Sequence, residues 1–336
     1  MILNHSAFAV SEVNLKRQLF SNILPFYHST PIKFHFYSTN SAKKFPYKYF
    51  NRGFKDLIVI LPGKGEQLER YAETIYDLKE VNRDILLVQF RGQGLSSRSL
   101  NDPEKTHIRK FDSVVEDLNQ LFEYLNIRKK YQHISLIAHS MGGHHGIRYQ
   151  LKYNLFDQII LNSPLIGILN EKETTRSYYQ LLALVGLGLS SNYVPGKGGW
   201  TDYPFEHNDV SQSQIRYEIF KDVDLDNVTT RMGSVTVRWA YEAIKSERFI
   251  FEHATKIKVP IVLFQAGKEL IVSNEKQNKF CQIISTCHLI RVENSMHNFL
   301  QEKDIFRDQF MTFVKSSLGT KLNTEPIKIT NFHKNN

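Results

Sequence analysis

The ten residues Ile134–Gly143, ISLIAHSMGG, constrain the fold more than any other stretch of this 336-residue chain. An apolar run of the kind that forms a buried strand stops at Ser140, and a helix-compatible stretch follows. Small residues, Ala138 and Gly142, stand two positions to either side of the serine. A strand that turns into a helix this abruptly brings two backbones close together, so large side chains are excluded at those flanks. The turn lifts the serine hydroxyl above the edge of a sheet. Ala138 stands where glycine is usual and adds one methyl group.

The surrounding pattern supplies that sheet. Ile32–Ser38, Leu57–Leu61, Ile85–Phe90 and Gln158–Leu161 read as strands. Between them, Glu66–Val81 and Ser113–Leu125 carry apolar residues at helical spacing, and Ser113 with Glu116 fits a capping box. Continuous apolar strands alternating with helices predict a mostly parallel α/β sheet covered on both faces. From Pro164 to Val259 the alternation lapses for about 95 residues rich in aromatics. It resumes with Ile261–Gln265 (strand), Ser273–Ile284 (helix), His288–Val292 (strand) and Asp304–Leu318 (helix), with Gly319 as a helix stop. The expected organisation is an N-terminal extension, partly strand, over 1–50 and a core of 51–163 and 260–319. A mainly helical cap is inserted over 164–259, and a basic tail covers 320–336. The cap leaves from the carboxyl edge of the sheet, where open α/β folds bind ligands.

Charge and cysteine content narrow the function classes. The net charge is +9, yet no C-x-x-C finger, RNP pattern or basic heptad helix is present, so nucleic acid is not expected as a partner. Attraction to an anionic membrane surface fits the same charge. Cys281 and Cys287 are too few for a disulfide framework and are expected as free thiols in the core. The first twenty residues lack a basic region followed by an apolar one, so no secretory signal is read there. The apolar heart of the longest uncharged run, Leu181–Leu189, is nine residues against the roughly 20 that a bilayer requires. The expectation is a cytoplasmic protein, soluble or peripheral on the inner face of the membrane.

A serine hydroxyl is a weak nucleophile and needs a base that is itself oriented by an acid. On this kind of sheet the chain order is serine, acid, histidine, with the last two on loops after late strands. His297 follows the strand His288–Val292 and precedes the last helix. No aspartate lies between Val259 and His297; the carboxylates there are Glu269, Glu275 and Glu293. Glu275 falls in the first turn of a helix, where the helix dipole accounts for it. Glu293 lies close to His297 on the same loop. Glu269, just beyond the strand Ile261–Gln265, has the best position for the acid. The oxyanion needs two N–H donors: Met141, after the serine, and Lys64, in the glycine-flanked turn Pro62–Glu66. The pair His144-His145 is expected on a polar surface or a site rim rather than as metal ligands, since adjacent helical residues diverge. Arg91–Gly94 lacks the Gly-Lys-Ser/Thr of a phosphate loop and reads as a structural turn beside the site. No metal or cofactor is called for.

The stretches LPGKGEQLERYAETIYDL, FRGQGLSSR, AHSMGG, LNSPLIGI and FQAGKEL, with NDVSQSQIRY and RMGSVTVRWAYEAI in the cap, carry a resemblance. From Leu57 to Phe313 the chain resembles the lysophospholipase and monoacylglycerol lipase branch of the α/β-hydrolases, and within it the bacterial inner-membrane lysophospholipases. The resemblance implies an α/β-hydrolase fold and a serine esterase acting on the acyl ester of a lysophospholipid. A monoacylglycerol lipase or carboxylesterase on the same triad is the alternative. It matches Ser140 to the nucleophile, His297 to the base and Glu269 to the acid, where most of the branch has aspartate. It also matches the N–H groups of Lys64 and Met141 to the oxyanion donors. Pro62 stands where many relatives have histidine, and Ala138 replaces the elbow glycine.

Overall fold

A computed structural model describes residues 9–36, 43–168, 171–226 and 228–319. Its eight strands are β1 (Ile32–Phe36), β2 (Lys44–Phe50), β3 (Asp56–Leu61), β4 (Asp84–Val88), β5 (His133–His139), β6 (Gln158–Asn162), β7 (Ile261–Ala266) and β8 (Cys287–Val292). They form one sheet in the order β1-β2-β4-β3-β5-β6-β7-β8. β1 and β2 run antiparallel at one edge, and β4 through β8 are parallel. The α/β architecture expected from the alternation is present.

Strand side chains alternate between two cores. Leu57, Val59 and Leu61 join a cluster with Leu118, Leu121 and Ile147, while Ile58 and Ile60 join one with Ile75, Phe310 and Val314. This period of two, apolar in both registers, is what a sheet sandwiched between helices requires.

Residues before 51 do more than extend the core. β2 pairs with β4, so the N-terminal segment supplies the antiparallel edge of the sheet. Lys48 is buried in it, its amine 3.7 Å from the centre of the Tyr27 ring. Burial lowers the Lys48 amine to about 8 despite the charge of Glu69. β1 ends at Phe36; Tyr37 and Ser38, which the sequence also assigns to a strand, lie outside the described residues, as does the tail 320–336.

Three local expectations need correction. The Glu66–Val81 helix is a single α-turn segment, Ala72–Asp77, between two 3-10 turns. The helix Asp112–Tyr124 begins one residue before Ser113, so no capping box forms there; Glu116 instead accepts from the Tyr153 hydroxyl at 2.6 Å and pairs with Lys152. Cys281 and Cys287 are joined in a disulfide and are only partly buried, rather than free thiols in the core. Cys281 lies in the last turn of helix Asn274–Ile283 and Cys287 opens β8, and the short turn between them brings their Cα atoms to 5.0 Å.

The cap consists of helices Glu171–Gly186, Gln214–Asp226 and Val237–His253 with their connections. It is tied to the core by Arg216, a fully buried side chain. Its guanidinium donates to both Glu73 carboxylate oxygens, to Asp304 Oδ1 and to the carbonyls of Val10 and Glu302. A buried guanidinium persists only with its donors satisfied in this way. None of the helices among the described residues is long and apolar enough to cross a membrane.

Candidate active site

Ser140 follows β5 with φ 49° and ψ −115°, outside the regions open to most residues. Strain of this sort survives only where surroundings enforce it. Here the Ser140 N–H donates to Asn162 O (3.0 Å), and its carbonyl accepts from Leu165 N–H (2.9 Å). Helix Met141–Tyr153 starts immediately after. A Cβ on Gly142 would lie 2.2 Å from the Leu61 carbonyl oxygen, so this position has no room for any side chain. The close approach places the turn Pro62–Glu66 directly against the helix start.

The loop after β7 carries Glu269 and the loop after β8 carries His297. The structure brings these two together. The His297 Nδ1–H donates to both Glu269 carboxylate oxygens, at 2.9 and 2.8 Å, and both side chains are nearly inaccessible. Burial raises the Glu269 carboxyl, but the His297 hydrogen bond and charge, with N–H bonds from Ile271 and Val272, outweigh it and leave the group below its usual value. The ionised form is therefore favoured, which fixes the proton on Nδ1 and leaves Nε2 as the basic nitrogen. The His297 ring packs on His139, with ring centres 4.8 Å apart, next in chain to Ser140. Among the described residues, neither the Ser140 hydroxyl nor His297 Nε2 makes a hydrogen bond, and neither atom is fully enclosed although both residues are buried. Glu275 lies in the first turn of its helix and Glu293 pairs with Arg291 at 2.7 Å.

Sequence reasoning missed Glu66, which links the pieces. This buried carboxylate accepts from Gly63 N–H (2.5 Å) and Tyr71 hydroxyl (2.6 Å) through Oε2. Through Oε1 it accepts from Asn298 Nδ2 (2.8 Å) and Gln301 Nε2 (3.4 Å). It thereby ties the turn bearing Lys64 to the loop bearing His297. Gln93 fastens the same turn, accepting from Gly65 N–H (3.0 Å) and donating to the Gly63 carbonyl (3.2 Å), which makes Arg91–Gly94 the structural turn its position implies. Only the folding of residues 232 positions apart creates the Glu66 contact, so no local pattern announces it. The Glu66→Gln variant is expected to stay folded and to lose about 10²-fold in kcat, the scale of loss when reacting groups shift by about 1 Å. Steady-state ester hydrolysis alongside a thermal melt checks this; an unchanged kcat contradicts it.

His144 and His145 are not on a surface or a rim: both are buried. His144 donates from one ring nitrogen to the Leu165 carbonyl (2.8 Å) and bonds Ser246 Oγ (2.6 Å) with the other. His145 is wedged between Phe90 and Phe111. Burial lowers both, His144 to about 3, so they are neutral packing elements of the helix. His139 is likewise lowered, to about 4, by burial, with Glu66 opposing, so the ring packed on His297 is neutral at neutral pH. No cluster of candidate metal ligands occurs among the described residues.

A cavity of about 840 Å³ lies between the cap and the core, walled by Leu165, Leu181, Leu184, Val235, Trp239 and Ile244 among others. It approaches the elbow through Leu165, whose N–H holds the Ser140 carbonyl, and through His144. Its lining is overwhelmingly apolar, as ligand pockets for greasy molecules are.

Comparison with known proteins agrees with this geometry. Residues 53–304 match the family described as Hydrolase_4, serine aminopeptidase S33. The chain is 30% identical over 261 residues to lysophospholipase L2 of Escherichia coli K12, covering 75% of this chain and 76% of that protein. It is 27% identical over 305 residues to the probable lysophospholipase L2 of Haemophilus influenzae, covering 90% and 96%. Among solved structures, a soluble variant of the Saccharomyces cerevisiae monoglyceride lipase superposes with a TM-score of 0.68 at 13% identity, covering 86% of this chain and 94% of that one. A Bacillus coagulans carboxyl esterase gives 0.69 at 15%, covering 85% and 97%. The strained serine, the apolar cavity beside it and these similarities place the chain in the serine aminopeptidase S33 family of α/β-hydrolases, in its lysophospholipase and monoacylglycerol lipase branch.

Proposed function

We propose that the chain cleaves the single acyl ester of a lysophospholipid, with Ser140, His297 and Glu269 as its catalytic triad. His297 Nε2 takes the Ser140 proton as the hydroxyl oxygen attacks the ester carbonyl. Glu269 holds the ring in the correct tautomer and stabilises the imidazolium. The N–H groups of Met141 and Lys64 stabilise the oxyanion. The imidazolium protonates the departing glycerophospho-alcohol, and water, activated by the same histidine, releases the fatty acid. The observation that carries this reading is the His297–Glu269 pair, built on the two late loops of a sheet whose central strand ends in the strained Ser140.

The acyl chain occupies the apolar cavity, and the surface around it meets the lipid. Leu181 and Leu184 point one face of helix Glu171–Gly186 into the cavity, while Tyr179, Leu182 and Leu187 are exposed. Leu270, beside Glu269, is 70% exposed. Solvent-facing apolar side chains in the cap segment that lines the cavity and beside Glu269, in a chain of net charge +9, fit an anionic membrane surface.

Initial rates on lysophosphatidylcholine, monoolein and p-nitrophenyl butyrate test the substrate class. The expected order places lysophosphatidylcholine first; monoolein or the butyrate ester in first place favours the monoacylglycerol lipase or carboxylesterase alternative. Presenting the lysophospholipid in anionic vesicles tests the membrane surface: the rate should fall as salt rises through roughly 0.1 M, where exposed charges are screened beyond about 10 Å. A salt-independent rate contradicts that part.

A further inference from the structure

The cap segment from Arg231 to Val235 changes character along its length. Val235 lines the apolar cavity. Two residues earlier, the Gly233 carbonyl accepts a hydrogen bond from the Lys64 amine at 3.2 Å. Two residues earlier again, the Arg231 guanidinium lies 4.4 Å from the Trp200 ring centre and donates to the carbonyls of Asp224 (2.8 Å) and Leu225 (3.1 Å). From the core, Arg70 reaches the same place, pairing with Asp224 at 2.5 Å while its Nε–H stays buried without an acceptor.

Three cationic side chains thus converge near Asp224: Arg70 pairs with its carboxylate, Arg231 donates to its main-chain carbonyl, and Lys64 lies close enough to feel its charge. Among the described residues, neither Lys64 nor Arg231 takes part in an ion pair. Lys64 is an exposed residue whose amine bonds the Gly233 carbonyl; desolvation there and the Arg70 charge lower it to about 8, with Asp224 opposing. In these contacts one carboxylate, Asp224, faces three cations, and an anion placed there would offset the remaining positive charge.

We propose that Lys64, Arg70 and Arg231 bind a phosphate diester, the head-group phosphate of a one-chain lipid whose tail fills the adjoining cavity. This rests on the esterase reading of Ser140. The polarity of the segment is that of the ligand: basic at Arg231, apolar at Val235. Four residue steps span at most about 14 Å, so one amphiphile can touch both ends. The turn carrying Lys64 packs against the start of the Ser140 helix, and the cavity reaches the same helix through His144 and Leu165, so the ester linking head to tail falls beside Ser140. Guanidinium groups suit the phosphate oxygens through paired N–H donors.

The test compares wild type, Arg231→Gln and Arg231→Lys on lysophosphatidylglycerol and monoolein of the same acyl chain. The ratio of kcat/KM for the phospholipid over monoolein should fall about tenfold or more in Arg231→Gln, the loss expected for a hydrogen bond to a charged group, and recover partly in Arg231→Lys. Calorimetric titration with sn-glycerol 3-phosphate and with inorganic phosphate gives a readout independent of turnover. Wild type should bind glycerol 3-phosphate more tightly than Arg231→Gln and than Lys64→Met. An unchanged ratio, or equal glycerol 3-phosphate affinity in all three proteins, overturns the proposal. Binding of inorganic phosphate with no change in the substrate ratio assigns the cluster to free phosphate and also overturns it. Failure of wild type to hydrolyse any ester defeats the Ser140 reading, while the titrations still decide the anion site. If Arg231→Gln does not fold by its thermal melt, Lys64→Met carries the comparison.

Discussion

Ser140→Ala is expected to lower kcat for ester hydrolysis by roughly 10⁶-fold, the scale seen when a serine hydrolase loses its nucleophile. The fold should survive. The strained φ of 49° is imposed by the hydrogen bonds from Ser140 N–H to Asn162 O and from Leu165 N–H to Ser140 O, which involve only backbone atoms. Alanine pays the same backbone strain as serine and fits the same space. Its melting temperature should therefore lie close to wild type, and the deficit should sit in kcat. Near-normal turnover in this variant would show that another group attacks the ester.

Glu269→Gln should lower kcat by about 10⁴-fold, again without unfolding. The substitution preserves size but replaces an acceptor-only carboxylate with an amide that has an N–H₂ end. One carboxylate oxygen, Oε1, already accepts from Ile271 and Val272 N–H at 2.8 and 3.2 Å. The amide oxygen will remain there, which turns the N–H₂ toward His297 Nδ1. That contact favours an unprotonated Nδ1 and so a proton on Nε2, the nitrogen that must be free to accept from Ser140. Nuclear magnetic resonance of the imidazole nitrogens reads the tautomer directly. A lost rate with an unchanged tautomer would make Glu269 a structural support only. Acid acts on the same group from the other side. Because the folded carboxyl is held below its ordinary value of 4.5, its pairing adds stability above that pH, and the contribution fades as pH falls through the lowered value.

Legibility in the sequence followed range. The elbow at Ser140, the parallel strands and the late positions of Glu269 and His297 are local patterns tied to chain order, and each could be placed. β2 is not legible in the sequence, since Lys44–Phe50 contains Pro46 and two lysines and lacks a clean alternation. It is a strand because Lys48 finds an aromatic face and β4 supplies its hydrogen bonds. His144 and His145 look polar in sequence and are buried, because Phe90, Phe111 and Ser246 arrive from other elements. The Cys281–Cys287 pairing depends on how tightly the helix turns into β8. Glu66 and Arg216, which hold the site and the cap in place, form their bonds with partners on distant elements and leave no periodic trace.

The proposed mechanism rests on a single proton relay from the hydroxyl of residue 140 to the imidazole of residue 297. Phosphonylation by a fluorophosphonate, followed by peptide mass mapping, tests it most directly in wild type and in His297→Ala. One adduct is expected, on Ser140, formed at least 10²-fold more slowly without the imidazole, as loss of general-base assistance requires. An adduct on a different residue, or equal labelling rates in the two proteins, would contradict it.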